Sequence, residues 1–210
     1  MPALKRKVPM RRAVFLDRDG VLTRLVQRDG RAVSPRALAE FAVLPGTCAA
    51  VEALRRADLL AVVVTNQPDI ARGALAPAEL RRMHDCLVHA VPLDAIYTCT
   101  HDDADGCSCR KPKPGLLVHA AEELQVSLKD SWMVGDSRKD IEAGRAAGCT
   151  TLLVEAAGAS PAGIAADFVV SDLAAAVEVI LQEYRREPDG IRLPRPEAGS
   201  SRRPFPEEAL

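Results

Sequence analysis

The chain has 210 residues, of which 48% are hydrophobic and 27% charged, and its 28 basic and 29 acidic residues leave a formal net charge of −1. This composition is typical of a globular protein with one domain of ordinary size, or one domain and a tail. The near-balance of charge argues against a nucleic-acid partner, so we expect a small ligand. We also expect a monomer. There is no run of 18 apolar residues and no apolar segment of a signal peptide, so we expect no membrane partner and a cytoplasmic protein.

Short apolar segments alternate with amphipathic ones along most of the chain. The apolar segments predict six strands, at residues 13–17, 59–65, 94–98, 131–136, 150–155 and 167–170. The amphipathic segments predict five helices, at residues 46–57, 77–90, 114–126, 138–147 and 172–185. Strands that are apolar on both faces belong to a parallel sheet covered by helices on both sides, so we predict an α/β fold with a doubly wound parallel sheet.

Two stretches lie outside this alternation. Residues 22–45 have weak periodicity and several turn signals, and we interpret them as a loop or small flap rather than a large cap domain. From residue 185 the chain is rich in proline, arginine and glutamate with few apolar residues, which predicts a disordered tail over 185–210. One domain is therefore predicted over residues 10–184.

Polar residues stand at the carboxyl ends of three predicted strands. Asp17, Thr65 and Asp136 occupy these positions, and ligands of doubly wound sheets bind beyond the carboxyl ends of the strands. Asp17 and Asp19 are two residues apart, so an extended backbone directs both carboxylates to the same side. A calcium loop is excluded because the glycine falls too early and Arg28 stands where a bidentate glutamate is required. A simple Asp-Gly turn remains the structural alternative.

Four segments with chemical potential follow one another along the chain. They are "VFLDRDGV", "VVVTNQPDIARG", "CRKPKPG" and "MVGDSRKDIEAG". Each alone is compatible with an ordinary turn, a solvated surface or a helix cap. In this order they resemble the four motifs of the haloacid dehalogenase superfamily of phosphotransferases, whose fold is Rossmann-like, and the resemblance covers residues 13 to about 155.

That resemblance implies a mechanism and a cofactor. Asp17 is expected to be the nucleophile that forms an aspartyl-phosphate, Asp19 the general acid and base, and Lys111 a stabiliser of the phosphoryl group. Asp17, Asp19 through its carbonyl, and Asp136 are expected to hold Mg²⁺, with Asp140 supporting the site. A divalent cation suits such a site because a carboxylate and a phosphate dianion repel each other strongly at close range.

The segment "CTHDDADGCSCRKPKPG" contains a second candidate metal site. Three thiols and one imidazole within eleven residues form a complete tetrahedral ligand set for zinc, which indicates a structural site. The predicted ligands are Cys99, His101, Cys107 and Cys109. Incidental cysteines in a polar loop are the alternative. The remaining cysteines, Cys48, Cys86 and Cys149, are predicted to be small buried residues, and His84, His89 and His119 to be helix residues without a role.

The motifs together resemble one subgroup of the superfamily, the D-glycero-D-manno-heptose 1,7-bisphosphate 7-phosphatase family, which is similar to histidinol-phosphate phosphatases. In that subgroup Thr65, Asn66, Gln67 and Arg110 are expected to touch the substrate. The chain departs from it in the flap, where "VQRDGRAVS" replaces an H-G-Y-V-like stretch. The alternatives are a histidinol-phosphate phosphatase and a catalytically silent zinc-binding module. The intact acidic residues and Lys111 argue against the silent module, since like charges are costly to keep together.

Overall fold

The structure, a computed structural model, describes residues 10–155, 163 and 165–186. Eight strands occur in this part of the chain: β1 (Ala13–Leu16), β2 (Val26–Arg28), β3 (Arg31–Val33), β4 (Leu60–Asn66), β5 (Ala95–Cys99), β6 (Trp132–Gly135), β7 (Thr150–Val154) and β8 (Phe168–Val170). The helices are α1 (Thr47–Arg56), α2 (Pro77–Ala90), α3 (Gly115–Leu124), α4 (Arg138–Ala147) and α5 (Leu173–Arg186). Six strands form one parallel sheet in the order β5-β4-β1-β6-β7-β8, while β2 and β3 pair as an antiparallel hairpin.

Alternating side chains of the central strands enter two separate cores. Val14 and Leu16 of β1 pack on one face of the sheet in a cluster that includes Leu54 of α1 and Ile180 of α5. Phe15, between them, packs on the opposite face with residues of α3 and α4. Both faces of β1 are therefore buried, which is why its sequence is continuously apolar. The doubly wound α/β prediction is confirmed.

The strand order places a crevice between β1 and β6. From β1 the chain adds β4 and then β5 on one side, and it returns to add β6, β7 and β8 on the other. Such a reversal of strand order opens a cleft at the carboxyl ends of the two strands that flank it. Asp17 follows β1 and Asp136 follows β6, so these two carboxylates stand on either side of the crevice.

The six predicted strands and five predicted helices are all present, each within two residues of its expected bounds. The flap contains the β2–β3 hairpin, whose turn is formed by Asp29 and Gly30, both at positive φ. No large cap domain occurs in the described residues. None of the described helices is long and apolar enough to cross a membrane. The domain bounds 10–184 stay a prediction. Of the predicted tail over 185–210, Arg185 and Arg186 belong to α5, and residues 187–210 lie outside the described residues.

Candidate active site

A cleft of about 390 Å³ opens at the carboxyl edge of the sheet. Most of the predicted site residues line it, namely Asp17, Asp19, Thr65, Asn66, Arg110, Lys111, Asp136 and Asp140. The hairpin contributes Ala32 and Val33 to the same lining, so the flap borders the cleft. Gln67 is absent from the lining and is 1% exposed, because its side chain lies beneath the cleft.

The backbone after β1 is shaped to bring two acidic residues together. The Asp17 N–H donates to the Val134 carbonyl at 2.9 Å, which continues the pairing of β1 with β6 past the last strand residue. Gly20 has a φ of +93°, and a Cβ at this position would lie 1.9 Å from Oδ2 of Asp136. Only glycine therefore allows both this turn and the close approach of Asp136.

Three carboxylates converge at this point. Asp17, Asp136 and Asp140 each place an oxygen within 4.8 Å of the others. Burial, opposed by Lys111 and reinforced by Asp140 and Asp19, raises the pKa of Asp17 to about 7. Burial and the nearby charges of Asp17 and Asp140 raise the pKa of Asp136 to about 8. The cluster thus carries more negative charge than the protein alone compensates.

Lys111 is the cation that the protein itself supplies. Its Nζ lies 2.7 Å from Asp17 Oδ1 and 2.5 Å from Asp140 Oδ1, and it also donates to the Val64 carbonyl at 2.8 Å. Burial alone lowers the pKa of Lys111, but the carboxylates of Asp140 and Asp17 raise it overall, so the side chain is charged. One ammonium group among three carboxylates leaves room for a divalent cation.

Asn66 fixes the backbone of Lys111. Its side-chain Nδ2 donates to the Lys111 carbonyl at 3.0 Å, and its Oδ1 accepts from the Lys111 N–H at 3.1 Å. This paired contact joins the end of β4 to the segment before α3. The sequence predicts that Asn66 touches substrate; the structure shows it lining the cleft while bound to Lys111.

Asp140 has two tasks in the structure. Its Oδ2 accepts from the backbone N–H of Ser137 at 3.1 Å, which is one half of a capping box at the start of α4, and it also accepts from the Ser137 hydroxyl. Its Oδ1 contacts Lys111. The first turn of α4 is therefore attached directly to the charged centre of the cleft.

Asp19 is held by four hydrogen bonds. Arg18 donates to both carboxylate oxygens, from Nε at 3.0 Å and from a terminal nitrogen at 2.8 Å. Thr23 donates its hydroxyl at 2.9 Å and Gln67 donates Nε2 at 2.9 Å. Although burial raises it, these donors lower the pKa of Asp19 overall, with the Arg18 charge contributing most. Gln67 also donates to the Thr65 hydroxyl, which keeps its own hydrogen for another acceptor.

Arg18 and His84 belong to this network, although the sequence analysis assigns a role to neither. Arg18 is fully buried and its remaining nitrogen lies 3.1 Å from Nε2 of His84 on α2. His84 falls on the apolar stripe of that helix, between the buried Met83 and Leu87. A histidine on such a stripe is the signal from which a buried polar contact could have been inferred.

The acidic cluster fits a magnesium ion. Its donors are carboxylate oxygens, which Mg²⁺ prefers, and burial together with the neighbouring carboxylates raises the pKa values of Asp17 and Asp136. Asp17 and Asp136 are the residues that would hold the ion, with Asp140 close by. The Asp19 carboxylate is engaged by Arg18, so its contribution would come from the backbone carbonyl, as expected from the sequence.

Without added metal, the free energy of unfolding should fall as the pH rises from about 5 to about 8.5. Folded Asp17 and Asp136 keep protons up to about pH 7 and 8, whereas the unfolded groups lose them near 3.8, so folding binds protons in this interval. Mg²⁺ binds the deprotonated form and should therefore raise the melting temperature more at high pH, by about 5 °C or more. Thermal unfolding with Mg²⁺ and without added divalent metal, at both pH values, checks this. An Asp136→Asn variant should show a flatter pH profile, and equal stabilisation by Mg²⁺ at both pH values would contradict the prediction.

The predicted zinc ligands also converge. Cys99, His101, Cys107 and Cys109 place ligand atoms within 4.8 Å of one another. Their sulfur atoms are 3.3 to 3.7 Å apart, too far for disulfides. A tetrahedron with zinc–sulfur bonds of about 2.3 Å has sulfurs about 3.8 Å apart, so the cluster fits a structural metal ion. Of the other cysteines, Cys149 is buried as predicted, but the predicted burial of Cys48 and Cys86 is wrong, since both lie on exposed helix faces.

Arg110 is oriented by the loop that carries the cysteines. Its Nε donates to Asp103 Oδ1 at 2.7 Å, and a terminal nitrogen donates to the His101 carbonyl at 3.3 Å. Arg110 is 7% exposed and borders the cleft. A fixed loop therefore places this cation at the edge of the cleft next to Lys111.

Comparisons with known proteins agree with this geometry. The HAD-hydrolase-like family model matches residues 108–176. D-glycero-β-D-manno-heptose-1,7-bisphosphate 7-phosphatase from Bordetella bronchiseptica is 38% identical over 183 residues, which cover 81% of this chain and 98% of that protein. The chain belongs to the haloacid dehalogenase-like phosphatases. A second similar protein is the Pseudomonas putida enzyme of the same name, at 40% identity over 68% of this chain and 81% of its own length.

The fold of this phosphatase is also that of a solved relative. The crystal structure of the heptose bisphosphate phosphatase from B. bronchiseptica in complex with magnesium and phosphate superposes with a TM-score of 0.69 at 37% identity. The match covers 82% of this chain and 99% of that one. Phosphatases of this superfamily use Mg²⁺, and the present phosphatase has a carboxylate cluster with suitable donors.

Proposed function

We propose that this phosphatase removes one phosphate from a small sugar bisphosphate, D-glycero-D-manno-heptose 1,7-bisphosphate, at the 7-position, in carbohydrate metabolism. The observation that carries the proposal is the convergence of Asp17, Lys111 and Asp136 in a cleft bordered by further cations. The relatives named for this reaction support the choice of substrate.

In the proposed reaction, Asp17 attacks phosphorus and an Asp17–phosphorus bond forms while the bond to the sugar oxygen breaks. Asp19 is ionised in the structure because Arg18 lowers its pKa, so it takes up a proton before the attack and gives that proton to the sugar oxygen, and the sugar leaves as an alcohol. A water molecule then attacks the aspartyl-phosphate and passes a proton to Asp19, which releases phosphate and restores both carboxyl groups. Lys111 and the Thr65 hydroxyl stabilise the transferring oxygens. A bound Mg²⁺ would neutralise negative charge between the nucleophile and the phosphoryl group.

The second phosphate has a separate set of cations. Lys139 lines the cleft together with Arg110. It lies in the first turn of α4, where a positive charge is unfavourable because it faces the positive end of the helix dipole. Its neighbour Arg138 pairs with Glu142 at 3.8 Å, whereas Lys139 lines the cleft and its charge, together with that of Arg110, lowers the pKa of Asp103. A substrate with two phosphates would satisfy this arrangement.

We further propose that the Cys/His cluster holds zinc and that the protein works in the cytoplasm as a monomer, without nucleic acid or membrane partners. All six cysteines are free thiols, and a thiol cluster of this kind is kept reduced in a cytosolic compartment. The near-neutral net charge of the chain argues against a polyanion as partner.

Phosphate release should be faster from heptose 1,7-bisphosphate than from histidinol phosphate or from sugar monophosphates. Removing Lys139 by Lys139→Ala should raise KM for the bisphosphate about tenfold, because one charged hydrogen bond is lost, with little change for a monophosphate. The matched control is Arg138→Ala, one residue away on the exposed surface, which should leave both constants unchanged. Phosphate detection with Mg²⁺ present gives kcat and KM. Preference for histidinol phosphate would instead support the alternative substrate, and no release from any ester would support the silent zinc-binding module.

A further inference from the structure

All three nitrogen atoms of the buried Arg18 guanidinium group make side-chain contacts. Its Nε and one terminal nitrogen donate to the Asp19 carboxylate, and its other terminal nitrogen lies 3.1 Å from Nε2 of His84. The ring of Phe41 lies against the guanidinium carbon at 5.6 Å. A buried arginine with this many directed contacts has little freedom to rotate.

His84 has to act as an acceptor in this contact. A guanidinium group only donates hydrogen bonds, so Nε2 of His84 carries no proton and its hydrogen stands on Nδ1. Burial and the adjacent Arg18 charge lower the pKa of His84 to about 3, which agrees with a neutral ring. The neutral His84 ring therefore orients the Arg18 guanidinium group and adds no charge to the site.

We propose that His84 is a positioning residue for catalysis: by fixing the plane of the Arg18 guanidinium, it holds the Asp19 carboxylate in the orientation needed to protonate the leaving oxygen. His84 lies on α2, 66 residues from Arg18, and touches no residue of the acidic cluster in the described contacts. The inference rests on the proposed role of Asp19, but it requires no particular sugar as substrate.

Two kinds of ester separate a positioning role from a general loss of structure. A sugar phosphate leaves as a poor alkoxide and depends on the acid, whereas p-nitrophenyl phosphate has a good leaving group and does not. The constant kcat/KM reports the steps up to departure of the leaving group. The ratio of kcat/KM for the two esters therefore measures how well Asp19 donates its proton, whatever the fraction of active enzyme.

The experiment measures this ratio with Mg²⁺ for p-nitrophenyl phosphate and for the sugar phosphate that the wild-type enzyme hydrolyses fastest. His84→Leu removes the acceptor and should lower the sugar-to-aryl ratio on the order of tenfold, part of the 10²- to 10⁴-fold that a general acid contributes. His84→Gln, whose amide oxygen can accept at a similar place, should restore the ratio. Arg18→Lys keeps the positive charge but loses the two-point contact with the Asp19 carboxylate, so it should lower the ratio as well. This variant keeps the test available if His84→Leu does not fold.

Equal losses for both esters, or an unchanged ratio in His84→Leu and Arg18→Lys, would overturn the inference. Asp19→Asn sets the lower limit of the ratio and tests the premise separately. An unchanged ratio in that variant would refute the acid role of Asp19 and the inference with it. Failure of the heptose substrate alone leaves the ratio measurable with other esters.

Discussion

Asp17→Asn should reduce phosphate release by at least about 10⁴-fold, because the amide cannot attack phosphorus and no other group takes its place. The substitution keeps the shape of the side chain and removes one charge from a cluster in which burial already raises the pKa of Asp17 to about 7. We therefore expect the metal-free variant to unfold at the same temperature as the wild-type protein, or higher. The lost activity would then be a chemical effect and not a consequence of unfolding.

Two measurements check this prediction. Steady-state phosphate release gives the loss of kcat, and mass spectrometry after acid quench should detect a phosphoryl adduct on the wild-type protein and none on the variant. The matched control is Asp29→Asn, the same chemical change in the exposed turn of the hairpin, where positive φ also suits asparagine. Release within about tenfold of wild type by Asp17→Asn would show that Asp17 is not the nucleophile.

Cys107→Ser should remove bound zinc and reduce turnover by about 10- to 100-fold. The loop from Cys99 to Cys109 holds Asp103 and the His101 carbonyl, which orient Arg110. Without the ion, the loop loses the contacts that fix its shape, and Arg110 loses its place at the cleft. Lys111 is less affected, since Asn66 binds its backbone independently of the loop.

Metal analysis, thermal unfolding and kinetics with heptose bisphosphate follow this change. The wild-type protein should contain one zinc per chain and the variant none, with a lower melting temperature. Cys48→Ser is the control, because Cys48 is an exposed thiol on α1 outside the cluster. Full activity in a zinc-free Cys107→Ser protein would show that catalysis does not depend on the zinc-bound loop.

The sheet was predictable because its strands carry an unambiguous pattern. Strands buried on both faces are continuously apolar, and the helices between them show the 3.6-residue period of amphipathic helices instead. The convergence of Asp17 and Asp136 followed from the same pattern, since the carboxyl ends of parallel strands share one edge. The hairpin was missed, although Asp29–Gly30 between Val26 and Val33 is a typical two-residue turn signal.

Side-chain direction was the least predictable feature. Asn66 and Gln67 were expected to touch substrate, but their amides are bound to Lys111 and to Asp19 and Thr65, which a linear motif does not reveal. Burial of Cys48 was predicted from its apolar character. The buried residues of α1 are Thr47, Ala50, Val51 and Leu54, so Cys48 falls outside the buried face of the helix. The helix period, applied strictly, would have corrected this prediction.

Because Asp140 makes both contacts, it couples the capping of α4 to the charge balance around Lys111. Oδ2 of Asp140 accepts the hydrogen bond that caps α4, and Oδ1 pairs with the buried Lys111 ammonium group. Neither contact can therefore be lost without disturbing the other. Fraying of the first helical turn would leave Lys111 with one counterion fewer, next to the Asp17 carboxylate. Transplanting this catalytic apparatus onto another scaffold would therefore mean carrying over the beginning of the helix as well as the charged side chains.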